Sequence, residues 1–269
     1  MAIQYKTPAQ MGIMARAGVV VEAALEAARG AAVIGATTAD IDAAAARVIA
    51  AAGATSNFLG YHGFPATTCV SVNDEVVHGI PGDRVLYDGD VVSIDCGAIV
   101  DGWHGDSAIT VILGDHPDPA DVALNEATRT ALWAGIAALS RASRLGEVGA
   151  AIEDVAIAAG VHPIDGYIGH GIGTEMHQDP DVLNYRVRAR LAKVRPGMCV
   201  AIEPMFVRGT SESHVLEDDW TVVSADGSRA AHWEHSIAVH DGGIWVLTAS
   251  DGGAEGLRRF GVVPAPVKR

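Results

Sequence analysis

Positive charge is scarce in this chain. Nineteen Lys and Arg stand against 33 Asp and Glu over 269 residues, a formal net charge of −14. No Lys/Arg cluster interrupts that balance, so there is no electrostatic footprint for nucleic acid and none is expected as a partner. Long apolar runs are missing too: none approaches the ~18 residues a membrane span requires. Met1 to Lys6 lack a basic stretch leading into an apolar segment, so no secretory signal is read there. Cysteine is rare. Cys69, Cys96 and Cys199 are odd in number and far apart, which argues against a disulfide framework and suits a reducing compartment. A soluble, cytoplasmic protein is expected. No Gly/Ser-rich or Pro-rich linker divides the chain, and its 49% hydrophobic content is enough for a sizeable core. One catalytic unit over residues 1–269 is therefore expected.

The elements that are present come in two similar rounds. Ala-rich helical spacing runs from about Ala9 to Gly30, with Pro8 suited to a first turn and Gly30 to a stop. A second helix is expected from Thr38, as its N-cap, to Ala52. Two more fit 119–140 and 146–159, bounded by Pro119, Gly146 and Gly160. Strand signals fill 67–72, 91–100, 103–113, 198–206, 221–223 and 233–239. The order is similar over 8–113 and 119–247, which suggests pseudo-repeat halves. The tail after Leu257 is short and basic and is expected at the surface.

The chemistry begins with a hairpin. Val91 to Val100 is apolar apart from Ser93 and Asp95, Asp101-Gly102 is a strong two-residue turn signal, and the return strand carries Asp106. With that turn Val100 faces Trp103, Gly97 faces Asp106 and Asp95 faces Ala108. Asp95 and Asp106 are then diagonal neighbours on one face, roughly 7–8 Å apart at the backbone. Two carboxylates on an apolar face repel unless protonated or bridged by a cation. The small residues Gly97, Gly105 and Ala108 are expected to leave room for one.

Further donors follow. Gly169-His170-Gly171-Ile172-Gly173 and His177 place two imidazoles in a Gly-rich stretch, where the backbone can turn sharply and bring side chains close to a ligand. A phosphate loop would need the Walker lysine, which is absent. Glu203 interrupts the apolar run Val200 to Met205, and Glu234 opens the alternating run to Val239. Asp95, Asp106, Glu203 and Glu234 with His170 make an oxygen-rich set, too anionic for one structural zinc. Such a set suits two divalent ions about 3.5–4 Å apart sharing a water.

At these residues the sequence resembles type I methionine aminopeptidase. The resemblance runs through Leu59-Gly60-Tyr61-His62-Gly63-Phe64-Pro65, Cys69 to Asn73, His78-Gly79-Ile80-Pro81, Asp95, Asp101 to Asp106, Gly169 to Gly173, His177, Ile202-Glu203-Pro204-Met205 and Glu234-His235. It covers about residues 6–248 in the family's order. It implies a pseudo-twofold "pita-bread" α+β fold, an antiparallel sheet with helices on its outer face. The implied activity is removal of the initiator methionine when the second residue is small. A short bacterial-style form is expected, without the large insertion of type II enzymes or a zinc-finger extension. By position, the family implies two divalent ions (Co, Mn, Fe or Zn): Asp95 on one, His170 and Glu203 on the other, Asp106 and Glu234 shared. His78 would contact substrate beside the scissile amide, and His177 would stabilise the oxyanion. Tyr61, Phe64, Cys69, Met176 and Trp220 would form the methionine pocket. Met176 stands where the family often carries an aromatic, and Phe58 where a Cys is common. The implied partners are nascent peptide N-termini near the ribosome, and a monomer is expected.

Two other readings compete with this one. Proline-directed peptidases of the same fold normally carry a large N-terminal domain, for which this chain has no room. A non-catalytic binding protein on the scaffold would have lost metal ligands, and all five candidates are present.

Overall fold

Helix α1 (Pro8–Ala31) opens behind Thr7. The Thr7 hydroxyl accepts from the Gln10 amide and the Gln10 side chain accepts from the Thr7 amide, with proline at the first position. Met11, Met14, Ala17, Gly18, Val21, Ala24, Leu25 and Ala28 are buried, the three- and four-residue spacing of one helical face. The helix passes the expected stop at Gly30 and ends one residue later. The computed structural model describes residues 2–267. Met1, Lys268 and Arg269 lie outside the described residues. So do the parts of the expectations placed on the N-terminal start, the basic tail and the 1–269 unit that fall on them.

Helix α2 (Thr38–Ala51) is capped by Thr37, not Thr38. Thr37 accepts from the Asp40 amide, and the Asp40 carboxylate accepts from the Thr37 amide. Thr38 is buried inside the first turn, and its hydroxyl donates to the Gly82 carbonyl. Helix α3 (Pro119–Leu139) starts behind Asp118, and α4 (Gly146–Ala159) ends on Gly160 in the left-handed region. A short α5 (Ala254–Leu257) follows later. No helix among the described residues is long and apolar enough to cross a membrane.

The strands are β1 (Thr55–Ser56), β2 (Thr68–Val72), β3 (Glu75–Val77), β4 (Val91–Val100), β5 (Trp103–Ile112), β6 (His162–Pro163), β7 (Gly169–Gly171), β8 (Gln178–Val182), β9 (Cys199–Ile202), β10 (Met205–Val207), β11 (Ser213–Val215), β12 (Val222–Ser224), β13 (Ala230–His232), β14 (His235–His240) and β15 (Gly243–Val246). All their recorded pairings are antiparallel. One sheet runs β1-β4-β2 with β5 on β4, and another runs β15-β14-β9-β7-β8. Val92, Ile94, Cys96 and Ala98 of β4 pack with the apolar faces of α1 and α2. Val200 and Ile202 of β9 and Ile237 and Val239 of β14 pack with those of α3 and α4. The helices thus cover one side of the strands, and the odd positions of β4, Ser93 and Asp95, face the other. The expected α+β class is the observed one.

The hairpin has the expected register: Val100 pairs with Trp103, Gly97 with Asp106 and Asp95 with Ala108. Asp101 and Gly102 both have positive φ, 48° and 77°, as the primed two-residue turn requires. The expectation that Gly105 leaves room for a cation fails. It points at α1, where an added Cβ would lie 2.9 Å from the Gly18 amide nitrogen. Gly97 is likewise filled: a Cβ there would meet Asn57 Nδ2 at 2.2 Å. Both are glycines for close packing.

The strand expected over 198–206 is two strands, and the one expected over 233–239 is β14 alone, starting two residues later, with β13 before it. Ile202 pairs with His235 and Met205 with His232, so the chain changes sheets at residues 203–204 and 233–234. Pro204 has no amide hydrogen to continue a ladder, and Glu234 instead exchanges backbone hydrogen bonds with Ala108 of β5. The described tail lies at the surface, as expected, with Val263 88% exposed, but it is tied down. The Ala265 amide donates to the Ile244 carbonyl, its carbonyl lies 2.8 Å from His240 Nε2, and Phe260 and Val262 pack on the core.

Candidate metal centre

Sheet switching places the two glutamates. Both occupy the corner between β9/β14 and β10/β13, opposite the Asp95–Asp106 face of the hairpin. Ser236 fixes one side of the join: its hydroxyl accepts from the Asp106 amide and donates to the Asp106 carbonyl. Asn184 Nδ2 donates to the Glu203 carbonyl. His170 enters from β7, which pairs with β9 through Gly171 and Val200.

These side chains line one cavity of about 130 Å³. Its floor holds Asp95, Asp106, His170, Glu203 and Glu234. Its other wall is Phe58, Tyr61, Phe64, Cys69, Met176 and Trp220, with His78 and His177 between the two. The structure therefore brings every candidate site residue to one cavity and adds Phe58. Cys69 lies beside Asp95 in the β2–β4 register. Phe64 and Trp220 meet edge-on at 5.0 Å. Tyr61 follows Gly60, which is at φ 84°, and its hydroxyl is 2.9 Å from His177 Nδ1. The His170 and His177 rings are 4.4 Å apart. His78, at φ 61°, stands 6.3 Å from the Trp220 ring and 5.9 Å from that of Tyr167.

The floor is electrostatically incomplete. Asp106 and Glu234 are 3% and 2% exposed. Asp95 Oδ1, Asp106 Oδ1 and Glu234 Oε1 are buried and have no hydrogen-bond partner among the described residues. Burial pushes the Asp106 carboxyl up to about 7, against the pull of an Asn57 hydrogen bond. Burial, then neighbouring carboxylates, drives Asp95, Glu203 and Glu234 well above the usual carboxylate range. Desolvation first, and His177 second, press His170 down to about 3, so its imidazole is neutral. His170 Nδ1 lies 3.0 Å from the Gly171 carbonyl. A carbonyl only accepts, so Nδ1 carries the proton and Nε2 presents a lone pair. That lone pair faces Glu203 Oε1 at 3.3 Å. Two lone-pair-bearing atoms at that distance need a proton or a metal cation between them. Donor atoms of Asp106, His170 and Glu234 all lie within 4.8 Å of one another. Oxygen and neutral nitrogen donors with unused lone pairs fit a divalent first-row metal.

His232 was not singled out by the sequence reading. It is 2% exposed, and its Nε2 lies 3.8 Å from Glu203 Oε2. Desolvation first, and His78 second, press its imidazole down to about 3. The signal was its two-residue spacing from Glu234, the period of one strand face.

An acidic, metal-accepting cavity between helix-backed antiparallel strands defines a metallopeptidase of family M24, whose model matches residues 12–241. The chain is 50% identical over 253 residues to "Methionine aminopeptidase 1" of Mycobacterium tuberculosis, covering 91% of this chain and 95% of that one. The crystal structure of methionine aminopeptidase from Thermotoga maritima superposes with a TM-score of 0.90 at 39% identity, over 93% of this chain and 100% of that one. Prolidase from Pyrococcus furiosus shares the fold, with a TM-score of 0.73 at 19% identity over 91% of this chain and 65% of that one. The chain belongs to family M24 and, within it, to the type I methionine aminopeptidases.

Proposed function

We propose that this chain removes the N-terminal methionine from nascent proteins and peptides whose second residue is small, by metal-dependent hydrolysis. The observation that carries the reading is a single cavity with a carboxylate–imidazole floor on one side and a methionine-sized apolar wall on the other. Asp95, Asp106, His170, Glu203 and Glu234 would hold two divalent ions, Asp95 on one, His170 and Glu203 on the other, Asp106 and Glu234 shared. Mn, Fe, Co and Zn all suit this donor set, and cellular supply selects among them.

When bound, the metal supplies the positive charge that lets these carboxylates ionise together and acidifies water toward neutral pH. The chain's own groups do the rest. Glu203 takes the proton from the attacking water and passes it to the leaving amine. Tyr61 donates to His177 Nδ1, which leaves the His177 proton on Nε2 to stabilise charge developing on the carbonyl oxygen. His78 contacts the peptide beside the scissile bond and crowds a bulky second residue. Phe64, Cys69, Met176, Tyr61 and Trp220 enclose the methionine side chain, reading its shape and polarizable sulfur. Residues 8–113 and 119–247 act as pseudo-repeat halves of one catalytic unit, working as a monomer in the cytoplasm on chains leaving the ribosome.

The test is recovery of activity. Metal-free protein supplied with Mn or Co is expected to cleave Met-Ala-Ser, and to cleave the same peptide with Trp at the second position far more slowly. No recovery with any first-row divalent ion would contradict the reading.

A further inference from the structure

Glu203 has two imidazole nitrogens near its carboxylate, and the structure makes them unequal. His170 Nε2 is 3.3 Å from Oε1, and His232 Nε2 is 3.8 Å from Oε2. Because His170 spends its proton on the Gly171 carbonyl through Nδ1, its Nε2 has nothing to donate. His232 Nε2 is buried without a hydrogen-bond partner among the described residues, a state that costs free energy unless it serves a purpose.

The ring is held there by its backbone. The His232 amide donates to Thr110 Oγ1, and the Thr110 hydroxyl donates to the His232 carbonyl. Thr110 is in turn bonded across the hairpin to Ser93 at 2.8 Å. The β4–β5 hairpin that carries Asp95 and Asp106 therefore also fixes His232. His232 does not line the substrate cavity, so it addresses Glu203 from behind.

We propose that His232 is a positioning residue for Glu203: its Nε2–H donates to Oε2 and so presents Oε1 on the His170 side of the metal centre. Closing the gap from 3.8 Å to hydrogen-bond distance needs only a small turn of the Glu203 carboxylate, which Asn184 holds at the backbone rather than at its oxygens. With Oε2 occupied, Glu203 has one oxygen left to offer to metal or proton, and its orientation is set before substrate arrives. The inference rests on the metal-centre reading above.

The experiment compares His232→Leu, which keeps volume and removes the donor, with His232→Gln, which keeps a donor. Each is purified as the metal-free full chain, checked for folding by circular dichroism, and titrated calorimetrically with Mn. His232→Leu is expected to bind Mn about 10–100-fold more weakly, the range for losing an outer partner of a ligand. After loading at saturating Mn, its kcat on Met-Ala-Ser should fall while KM stays within about twofold; His232→Gln should recover most of both losses. In a Glu203→Gln background, adding His232→Leu should change Mn affinity little further. Wild-type Mn affinity in folded His232→Leu would overturn the proposal. So would a His232→Gln chain as impaired as His232→Leu, because packing rather than a donor would then be at stake. Wild-type Mn binding by Glu203→Gln alone would instead overturn the metal-centre reading.

Discussion

The two walls of the cavity use opposite physical means. The floor gathers four carboxylates and an imidazole whose burial is uncompensated within the protein. The facing wall gathers Phe58, Phe64, Cys69 and Met176 into a small apolar cluster, with Tyr61 and Trp220 at its edge. That cluster satisfies itself by packing. The floor announces a missing partner, because buried charge without a counter-charge costs too much to persist. The wall announces nothing by itself, because buried aromatic and sulfur-bearing side chains are what any core contains. A metal site can thus be argued from local chemistry, whereas the apolar wall acquires meaning only from standing beside it.

Four expected outcomes would sharpen or break that contrast. The largest concerns the floor. Asp95→Asn and Glu203→Ala should each lower kcat/KM on Met-Ala-Ser by more than the ~100-fold typical of losing an outer partner, with an unchanged circular dichroism spectrum. Full activity in either variant would show that the assignment is wrong.

The next concerns metal and pH together. Metal at about 100 times its Kd should stabilise the fold by about 2.7 kcal/mol, and roughly 2–4 °C of melting temperature per kcal/mol is expected for a chain this size. The gain should depend on pH. In the metal-free protein burial raises the floor carboxyls, Asp106 to about 7, so the folded state retains protons that the unfolded chain has released. That stabilising contribution is complete below the ordinary carboxylate range, near about 4, and is lost as pH rises through about 7. Metal replaces those protons. The rise in melting temperature on adding Mn should therefore be larger at pH 8 than at pH 5, and an equal rise at both would mean the floor does not titrate this way.

A smaller effect belongs to the apolar wall. Met176→Ala should raise KM for Met-Ala-Ser about tenfold or more through lost side-chain contact, with Mn affinity by calorimetry unchanged. A parallel loss of Mn affinity would show the walls to be coupled. The smallest lies away from both. Thr37→Ala removes the α2 cap and should cost about 1 kcal/mol in urea unfolding, leaving kcat and KM untouched.

Much of this contrast was legible in the sequence. Asp101-Gly102 specified a two-residue turn, and the turn specified the register that puts Asp95 and Asp106 on one face. Helix positions followed from apolar spacing, with the α2 cap misplaced by one residue because Thr37 and Thr38 are chemically alike and only tertiary contact with Gly82 separates them. Gly105 was misread because a glycine that clears space for a ligand and one that admits a helix look the same in a sequence. The break at Glu203-Pro204 was hidden within an apolar run, since a strand that changes sheets keeps its hydrophobicity, and β13 before Trp233 was missed because it is only three residues long. His232 escaped notice because a histidine in an apolar strand is commonly a satisfied core residue. Its two-residue spacing from Glu234 was the one signal in the sequence, and its orphaned Nε2 beside Glu203 is what the structure adds.

The central claim is that the four floor carboxylates and His170 hold divalent metal. The most direct measurement is an anomalous difference map from crystals of the full chain loaded with Mn. Strong peaks within ligand distance of Asp106, His170, Glu203 and Glu234, with Asp95 completing the set, are the predicted result. A Mn-loaded crystal with no peak at these side chains would contradict it.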